Sequence, residues 1–549
     1  MYKSNEPIAI VGYHCRLPQC NDANQLMQLL DNKKVAIQQQ TQELNSDLTA
    51  YKAEIDHPDC FDAEFFGFSI KEAELLCPQQ RLLLEDCWLA LDNAGYAPPH
   101  ANHENTAVFA SCTGNPFYWQ ALLQDYPDPF YQFQILVHND KDFIATRVAY
   151  LLNLKGPAMT IQTGCSSSLV ALHQAKRALE ANDCNMAIVA ASSVTYPIIN
   201  PMPAIQGMIF SPTGRCRPYA PGADGTVMGM GTVALVLKTL SQAQKDGDSI
   251  LALIKGSAIN NDGKGKMSFT GPSLDGQIDV IHKALKDANL TAKDIHLVEG
   301  HGTGTIIGDE LELAVFHETY GQNRETPCWL GSVKANLGHL DVVSGLVSVL
   351  KTSLALNRAA AFPQPYQDSV LQRSMPNTKL ELCAEKMPID PHTNAAVHSL
   401  GVGGTNAHVI LSAPPPGVKN GDLLLQRKPR QVFKQTPIPL PSALRSNTMK
   451  TNDSVCTTSR NTPLSELVKQ AWIEILGNKD LHADDNFFAC GGDSLMAIAL
   501  IDRINKLIGL KLSYLFVYEN PTFQLFVQQV VQHSMMQMGV SEYEPSENA

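Results

Sequence analysis

Thr160-Ile-Gln-Thr-Gly-Cys-Ser-Ser-Ser-Leu-Val-Ala-Leu-His173 decides how the chain is read. Its left side, Ala158 to Thr163, is short, apolar and β-branched and predicts a buried strand. Its right side, Ser166 to Leu179, repeats apolar residues at helical spacing and predicts a helix. Cys165 then sits where a strand turns into a helix, beside Gly164, which permits a tight backbone. A thiol at a helix N-terminus meets unpaired N–H groups and the positive end of the helix dipole. Both favour the nucleophilic thiolate. Most free cysteines are small buried hydrophobes, and the other twelve of the thirteen here have no comparable setting.

Outward from this stretch, 549 residues predict more than one domain. Charged residues are only 17% of the chain against 44% hydrophobic, which favours extensive burial and an oligomer interface. A net charge of −12 argues against a nucleic-acid partner. Thirteen cysteines without framework spacing fit reduced thiols in a cytoplasmic protein. With neither a C-x-x-C nor an H-E-x-x-H pattern, no metal site is expected. No apolar run approaches eighteen residues, so no membrane span is expected. Pro7-Ile-Ala-Ile-Val-Gly12 is too short for a signal segment and reads as a first strand.

From Glu6 to Ala413 strand-like and helix-like runs alternate, an α/β pattern. Expected strands include 8–11, 107–110, 187–191, 233–238, 251–259, 295–299 and 408–411. Expected helices include 73–94, 166–181, 277–288, 310–320 and 341–356. Residues 414–460 are proline-studded and basic, with eight Lys or Arg against two Asp, and read as a mobile linker. An ordered strap is the alternative for the part nearest Ala413. Residues 461–535, acidic again, carry helical runs at 464–476, 494–508 and 523–533 and predict a bundle of three or four helices. Residues 536–549 read as a flexible tail.

Two histidines lie in glycine-rich loops downstream of Cys165. His301 occupies Val298-Glu-Gly-His-Gly-Thr-Gly-Thr305, just past a strand. Lys334 and His339 occupy Gly331-Ser-Val-Lys-Ala-Asn-Leu-Gly-His339, just before an apolar helix. A lone histidine is usually structural, but two in such loops beside an activated cysteine point to chemistry at strand ends. Ser399-Leu-Gly-Val-Gly-Gly-Thr-Asn-Ala-His408 is a glycine-rich turn whose backbone N–H groups can form an oxyanion hole. Asn486-Phe-Phe-Ala-Cys-Gly-Gly-Asp-Ser-Leu-Met496 sets Ser494 at a turn opening a helix, either as a cap or as a hydroxyl awaiting modification.

Together these motifs resemble the β-ketoacyl synthase domain of modular polyketide synthases followed by an acyl or peptidyl carrier domain. The likeness also rests on Glu6-Pro-Ile-Ala-Ile-Val-Gly12, Phe65-Phe-Gly-Phe-Ser69, Pro78-Gln-Gln-Arg-Leu-Leu-Leu-Glu85, Gly214-Arg-Cys-Arg-Pro218 and Asn260-Asn-Asp-Gly263. Gly403-Gly-Thr-Asn-Ala-His408 and Gly491-Gly-Asp-Ser-Leu495 complete it. The resemblance implies a thiolase-like fold, two α/β halves in five αβαβα layers over residues 6–413, which forms a homodimer. A small all-α carrier follows. It implies that Cys165 takes an acyl chain, with the backbone N–H groups of Cys165 and Val402 as oxyanion hole. His301 and His339 would stabilise the enolate formed as a malonyl thioester loses carbon dioxide, and Lys334 would order them. The product would be a β-ketoacyl thioester. Ser494 would carry 4'-phosphopantetheine, added by a phosphopantetheinyl transferase. Acyl- and malonyl-loaded carrier proteins are the implied partners. No stretch resembles an acyltransferase, so a trans-acting acyltransferase is expected to load malonyl.

The sequence departs from the usual family pattern at Cys77, Gln162, Gly164, Met230, Gly300, Asp309-Glu310 and Leu400. None removes a candidate catalytic group. The alternative function is a non-elongating acyltransferase of the same fold, moving acyl chains between carriers or to another nucleophile. A carrier-presenting scaffold and a cysteine hydrolase fit the residues less well.

Overall fold

The computed structural model describes residues 6–39, 51–98, 105–197, 209–266, 268–366, 377–418, 421–445, 464–476, 481–490, 494–513 and 515–537. The chain divides into two compact units, Met1–Met267 with Gly271–Thr448, and Met449–Ala549 with Ser268–Thr270.

The first unit is built on eleven hydrogen-bonded strands. They are β1 (Ile8–Arg16), β2 (Thr106–Cys112), β3 (Ala158–Thr160), β4 (Met186–Ser193), β5 (Gly231–Thr239) and β6 (Ala252–Asn261). The remaining five are β7 (Ile295–Glu299), β8 (Cys328–Gly331), β9 (Leu380–Leu382), β10 (Asn394–Leu400) and β11 (Thr405–Ser412). Their order is β9-β8-β7-β10-β11-β6-β1-β5-β4-β2-β3. From the β3 edge inward, β3·β2 and β2·β4 are parallel, then β4·β5 and β5·β1 antiparallel. From the other side, β8·β7 and β7·β10 are parallel, then β10·β11 and β11·β6 antiparallel. The same succession occurs twice, so the unit has two similar α/β halves. They join where Ile8–Ile10 pairs with Ala252–Ile254.

Helices complete the layers. On the first half, α1 (Pro78–Ala94) and α2 (Ile144–Leu151) bury Leu84, Leu91 and Val148 against Val108, Ile188 and Val236. On the second, α4 (Leu274–Ala288) and α5 (Ile306–Phe316) bury Ile281, Leu285 and Phe316 against Val298 and Ile410. Between the halves lie α3 (Ser167–Ala181) and α6 (Ser344–Asn357), whose apolar residues share one core with strands of both. A helix covered on two sides must be apolar nearly all round, and α6 is buried from Ser344 through Leu356. At Gly345 an added Cβ would lie 2.9 Å from Ser168 Oγ and 3.0 Å from the Leu169 backbone nitrogen. Only glycine lets these helices meet there. The result is the expected αβαβα stack.

Three expectations change. The helix expected over 73–94 is two helices, Ile70–Leu75 and α1, because Pro78 cannot continue the first and instead starts the second. The strand after Ala158 is an edge strand with Met159 half-exposed, rather than buried. Most of the expected linker that the structure describes is an ordered strap. The Arg430 N–H donates to Asp92 Oδ2 at 2.7 Å, and the Lys434 N–H to Asp62 Oδ2 at 2.8 Å. Backbone bonds tie Phe61 to Thr436 and Ile438 to Asp59. Phe433 is buried, its ring 5.0 Å from Phe65 and 5.5 Å from Trp88. The strap lacks periodicity because its partners belong to the domain rather than to itself. Expected linker residues 446–460 lie outside the described residues.

In the second unit α7 (Leu464–Leu476), α8 (Ser494–Ile508) and α9 (Phe523–Gln537), with a short helix at Phe516–Glu519, enclose Trp472. Its ring meets Phe487 at 5.2 Å and Phe526 at 5.4 Å. Of the tail expected over 536–549, residues 536–537 belong to α9 instead, and 538–549 lie outside the described residues.

The strap gives a first prediction. Phe433→Ala should lower the stability of the first unit by about 3 kcal/mol, the usual result of emptying a buried aromatic site. Urea unfolding followed by tryptophan fluorescence measures it; a change below about 0.5 kcal/mol would mean the strap is not part of the domain.

Candidate active site

Cys165 stands in the turn between β3 and α3. Gly164 has φ of +63°, a conformation that favours glycine. The Thr163 N–H donates to Ser167 Oγ at 2.8 Å, and Ser167 Oγ donates to the Gly164 carbonyl at 2.6 Å. The serine run thus closes the turn. Across from it lies the β10–β11 turn, where an added Cβ on Gly401 would come 2.1 Å from the Thr163 carbonyl oxygen. Two backbones touch here. The N–H groups of Val402 and Cys165 both act on the Cys165 sulfur, favouring its thiolate form.

The thiol itself departs from expectation. Burial pushes its pKa up to about 12, and the neighbouring Asp341 adds to the rise. Lys334 and the two backbone N–H groups pull it down but do not offset burial. In the free chain Cys165 is therefore a neutral thiol at pH 7. Of the twelve described cysteines, only Cys165 and Cys490 are not fully buried.

His301 and His339 lie edge to face, ring centroids 5.7 Å apart. His301 Nδ1 accepts the Leu400 N–H at 3.4 Å, and His339 Nδ1 accepts the Asp341 N–H at 3.0 Å. A backbone N–H can only donate, so each Nδ1 must carry a lone pair. Each neutral ring then holds its proton on Nε2. Both are neutral: burial first, then the charge of Lys334, holds the His301 imidazole far below 6.5 and takes His339 down to about 3. Two uncharged N–H donors result.

Buried carboxylates hold the histidine loops. Glu312 of α5 accepts the His301 N–H at 2.6 Å, the Gly302 N–H at 2.8 Å and the Tyr219 hydroxyl at 2.8 Å. Lys334 Nζ donates to the His301 carbonyl. Glu299 accepts the Val333 N–H and forms a buried 2.7 Å ion pair with Lys351, fixing the segment that bears Lys334. Lys334 thus acts on the loop of His301 through its backbone. A Cβ at Gly300 would lie 2.0 Å from the Tyr219 hydroxyl oxygen, so Gly300 makes room for that hydroxyl.

Sequence reading picks out Cys165, His301, Lys334, His339 and Val402, and these come together. It passes over Glu312, Glu299, Tyr219 and Asp341. Asp341 Oδ1 lies 3.8 Å from Cys165 Sγ, although its place two residues after His339 was the available signal. Ser494 is the first residue of α8 in the other unit, and residues 491–493 lie outside the described residues. A serine hydroxyl is a group that can form the phosphodiester linkage of 4'-phosphopantetheine.

The Gly300–Tyr219 contact yields a double-mutant test. Gly300→Ala should destabilise the chain by about 1–3 kcal/mol through overpacking. In a Tyr219→Phe background, where the obstructing oxygen is gone, the same change should be less costly. Equal costs in both backgrounds, read by urea unfolding, would mean that the hydroxyl does not fill this space.

The comparisons agree with this geometry. The family profile "Beta-ketoacyl synthase, N-terminal domain" matches residues 5–243, "Beta-ketoacyl synthase, C-terminal domain" residues 251–366, and "Phosphopantetheine attachment site" residues 466–530. A component of the phenolphthiocerol/phthiocerol polyketide synthase of Mycobacterium tuberculosis is 38% identical over 441 residues, 74% of this chain and 29% of that protein. Spectinabilin polyketide synthase system protein NorA' of Streptomyces orinoci is 38% identical over 458 residues, 80% of this chain and 12% of that protein. The chain thus spans less than a third of the length of these relatives. Among solved structures, ketosynthase twelve of the bacillaene polyketide synthase of Bacillus amyloliquefaciens superposes with a TM-score of 0.71 at 31% identity, covering 75% of this chain and 76% of that one. The ketosynthase from module 1 of the same organism's bacillaene synthase gives 0.70 at 32%, with the same coverage. The chain belongs to the β-ketoacyl synthase family, with a phosphopantetheine-bearing carrier domain after the ketosynthase.

Proposed function

We propose that the chain catalyses decarboxylative condensation between an acyl group on Cys165 and a malonyl thioester. The observation that carries this is the pair of neutral Nε2–H donors in the site of a thiol on which the Val402 and Cys165 N–H groups act. In the first half-reaction Cys165 Sγ attacks an acyl thioester, and the N–H groups of Cys165 and Val402 hold the oxyanion. In the second, a malonyl thioester loses carbon dioxide while His301 and His339 donate to the enolate oxygen. The carbanion then attacks the Cys165 acyl carbonyl and expels Sγ, giving a β-ketoacyl thioester. Neutral donors suit a developing enolate because they remain donors across the working pH range. A 4'-phosphopantetheine group on Ser494 supplies a flexible thiol for carrying acyl chains.

The partners on this reading are acyl- and malonyl-loaded carrier proteins, with malonyl supplied by an acyltransferase acting from outside these residues. A homodimer is supported by β3, an edge strand with Met159 half-exposed, since such an edge invites pairing with a second copy. The free thiol fits the cytoplasm.

Intact-protein mass spectrometry tests the reaction. The phosphopantetheinylated chain, loaded with malonyl and offered a short acyl thioester, should gain acyl mass at Cys165, then lose carbon dioxide and show a β-ketoacyl mass on the carrier. Acyl passing to the carrier without carbon dioxide loss would instead establish an acyltransferase. His301→Ala or His339→Ala should slow carbon dioxide release by about 10²-fold or more, as expected for loss of one oxyanion donor. Because His339 is held near 3, acidification from pH 8 to 5 leaves it neutral, and release should show no histidine limb near 6.5.

A further inference from the structure

The neutral thiol leaves a question of proton transfer. A nucleophilic Sγ must lose its proton, and the imidazoles are barred from taking it: each Nε2 already carries a hydrogen, and each Nδ1 is occupied by a backbone N–H. Lys334 is a donor. Among the described residues the acceptor in contact with the thiol is Asp341, with Oδ1 3.8 Å from Sγ, hydrogen-bonding range for sulfur. Its other oxygen takes the Thr113 hydroxyl at 3.1 Å, which aims the carboxylate. Asp341 has φ of +48°, a conformation open to Asp and Asn but strained for most side chains. Its own N–H is the one that fixes His339. One residue thus serves the imidazole through its backbone and faces the sulfur with its side chain.

We propose that Asp341 is the base that takes the Cys165 proton as the sulfur attacks. The assignment rests on Cys165 as the acyl-accepting nucleophile. In the acylation step the S–H proton passes to Asp341 Oδ1 while the Sγ–C bond forms. The bond between the acyl carbon and the donor's sulfur then breaks, and Asp341 returns the proton to the departing thiolate. Atoms and charge balance without a further reactant. Burial raises the Asp341 pKa, which makes its carboxylate a better acceptor; Thr113, Cys165 and the nearby Lys141 oppose the rise, and Lys334 acts on the sulfur.

Asp341→Asn is the decisive variant, since Asn tolerates the same φ and can keep the Thr113 bond. A carboxylate that merely repelled a thiolate would have the opposite signature, because its removal would make Cys165 more reactive. The measurement is the rate at which Cys165 takes iodoacetamide, and separately an acetyl group from acetyl-N-acetylcysteamine, by intact mass from pH 5 to 9. The wild-type rate should level off once Asp341 is ionised. Asp341→Asn should be at least tenfold slower at pH 7 and climb tenfold per pH unit. Asp341→Glu, which keeps an acid, should recover part of the rate. An Asn variant as fast as wild type or faster would overturn the assignment. Alkylation needs no acyl donor, so failure of acyl uptake alone would count against the condensing function. Failure of the Asn effect would count against the base.

Discussion

The chemistry available to this site depends on two backbone N–H groups, those of Leu400 and Asp341, that occupy the Nδ1 atoms of His301 and His339. They fix the tautomer of both rings, and burial beside Lys334 fixes their charge at zero. A histidine so held can donate but cannot accept. The two rings therefore suit the stabilisation of an enolate and are unsuited to deprotonating the thiol. That division of labour follows from geometry and solvation, before any substrate is considered.

Holding those N–H groups in place requires the rest of the domain. Leu400 ends β10, and the turn that follows presses Gly401 against Thr163, so the thiol turn and the His301 loop are positioned by one contact. Glu312 and Lys334 grip the His301 loop from two sides, while Glu299 and Lys351 pin the segment leading to His339. Leaving one partner of such a buried pair without the other would cost several kcal/mol, on the order of 3–5. Behind them, α3 and α6 meet at Gly345, which couples the thiol-bearing half to the second histidine. The site lies at the seam between two halves, and both contribute to it.

Much of this was legible in the chain itself. The helix at Ser494–Ile508 ends where its apolar periodicity ends, because it buries a single face in a small bundle. Cys165, His301 and His339 stood out through their glycine-rich surroundings. What periodicity could not convey was contact with distant chain. The strap around Phe433 has no pattern of its own, and β3 reads as buried although it lies at the sheet edge. The break at Cys77–Pro78 was hidden under continuous apolar spacing. The thiolate expected from the helix N-terminus gave way to desolvation, which the sequence does not reveal. Asp341 was hidden for a related reason: it does open the 3-10 turn that leads into α6, but helical spacing gives no sign of the left-handed backbone that turns its carboxylate to the sulfur.

The most direct measurement is nitrogen NMR of the full chain labelled at histidine, with His301→Ala and His339→Ala used to assign the two rings. The expected spectrum has a bare Nδ1 and a protonated Nε2 on both rings, unchanged between pH 5 and 8. A proton on Nδ1 of either ring, or a titration near the ordinary 6.5, would contradict the neutral-donor account of the site.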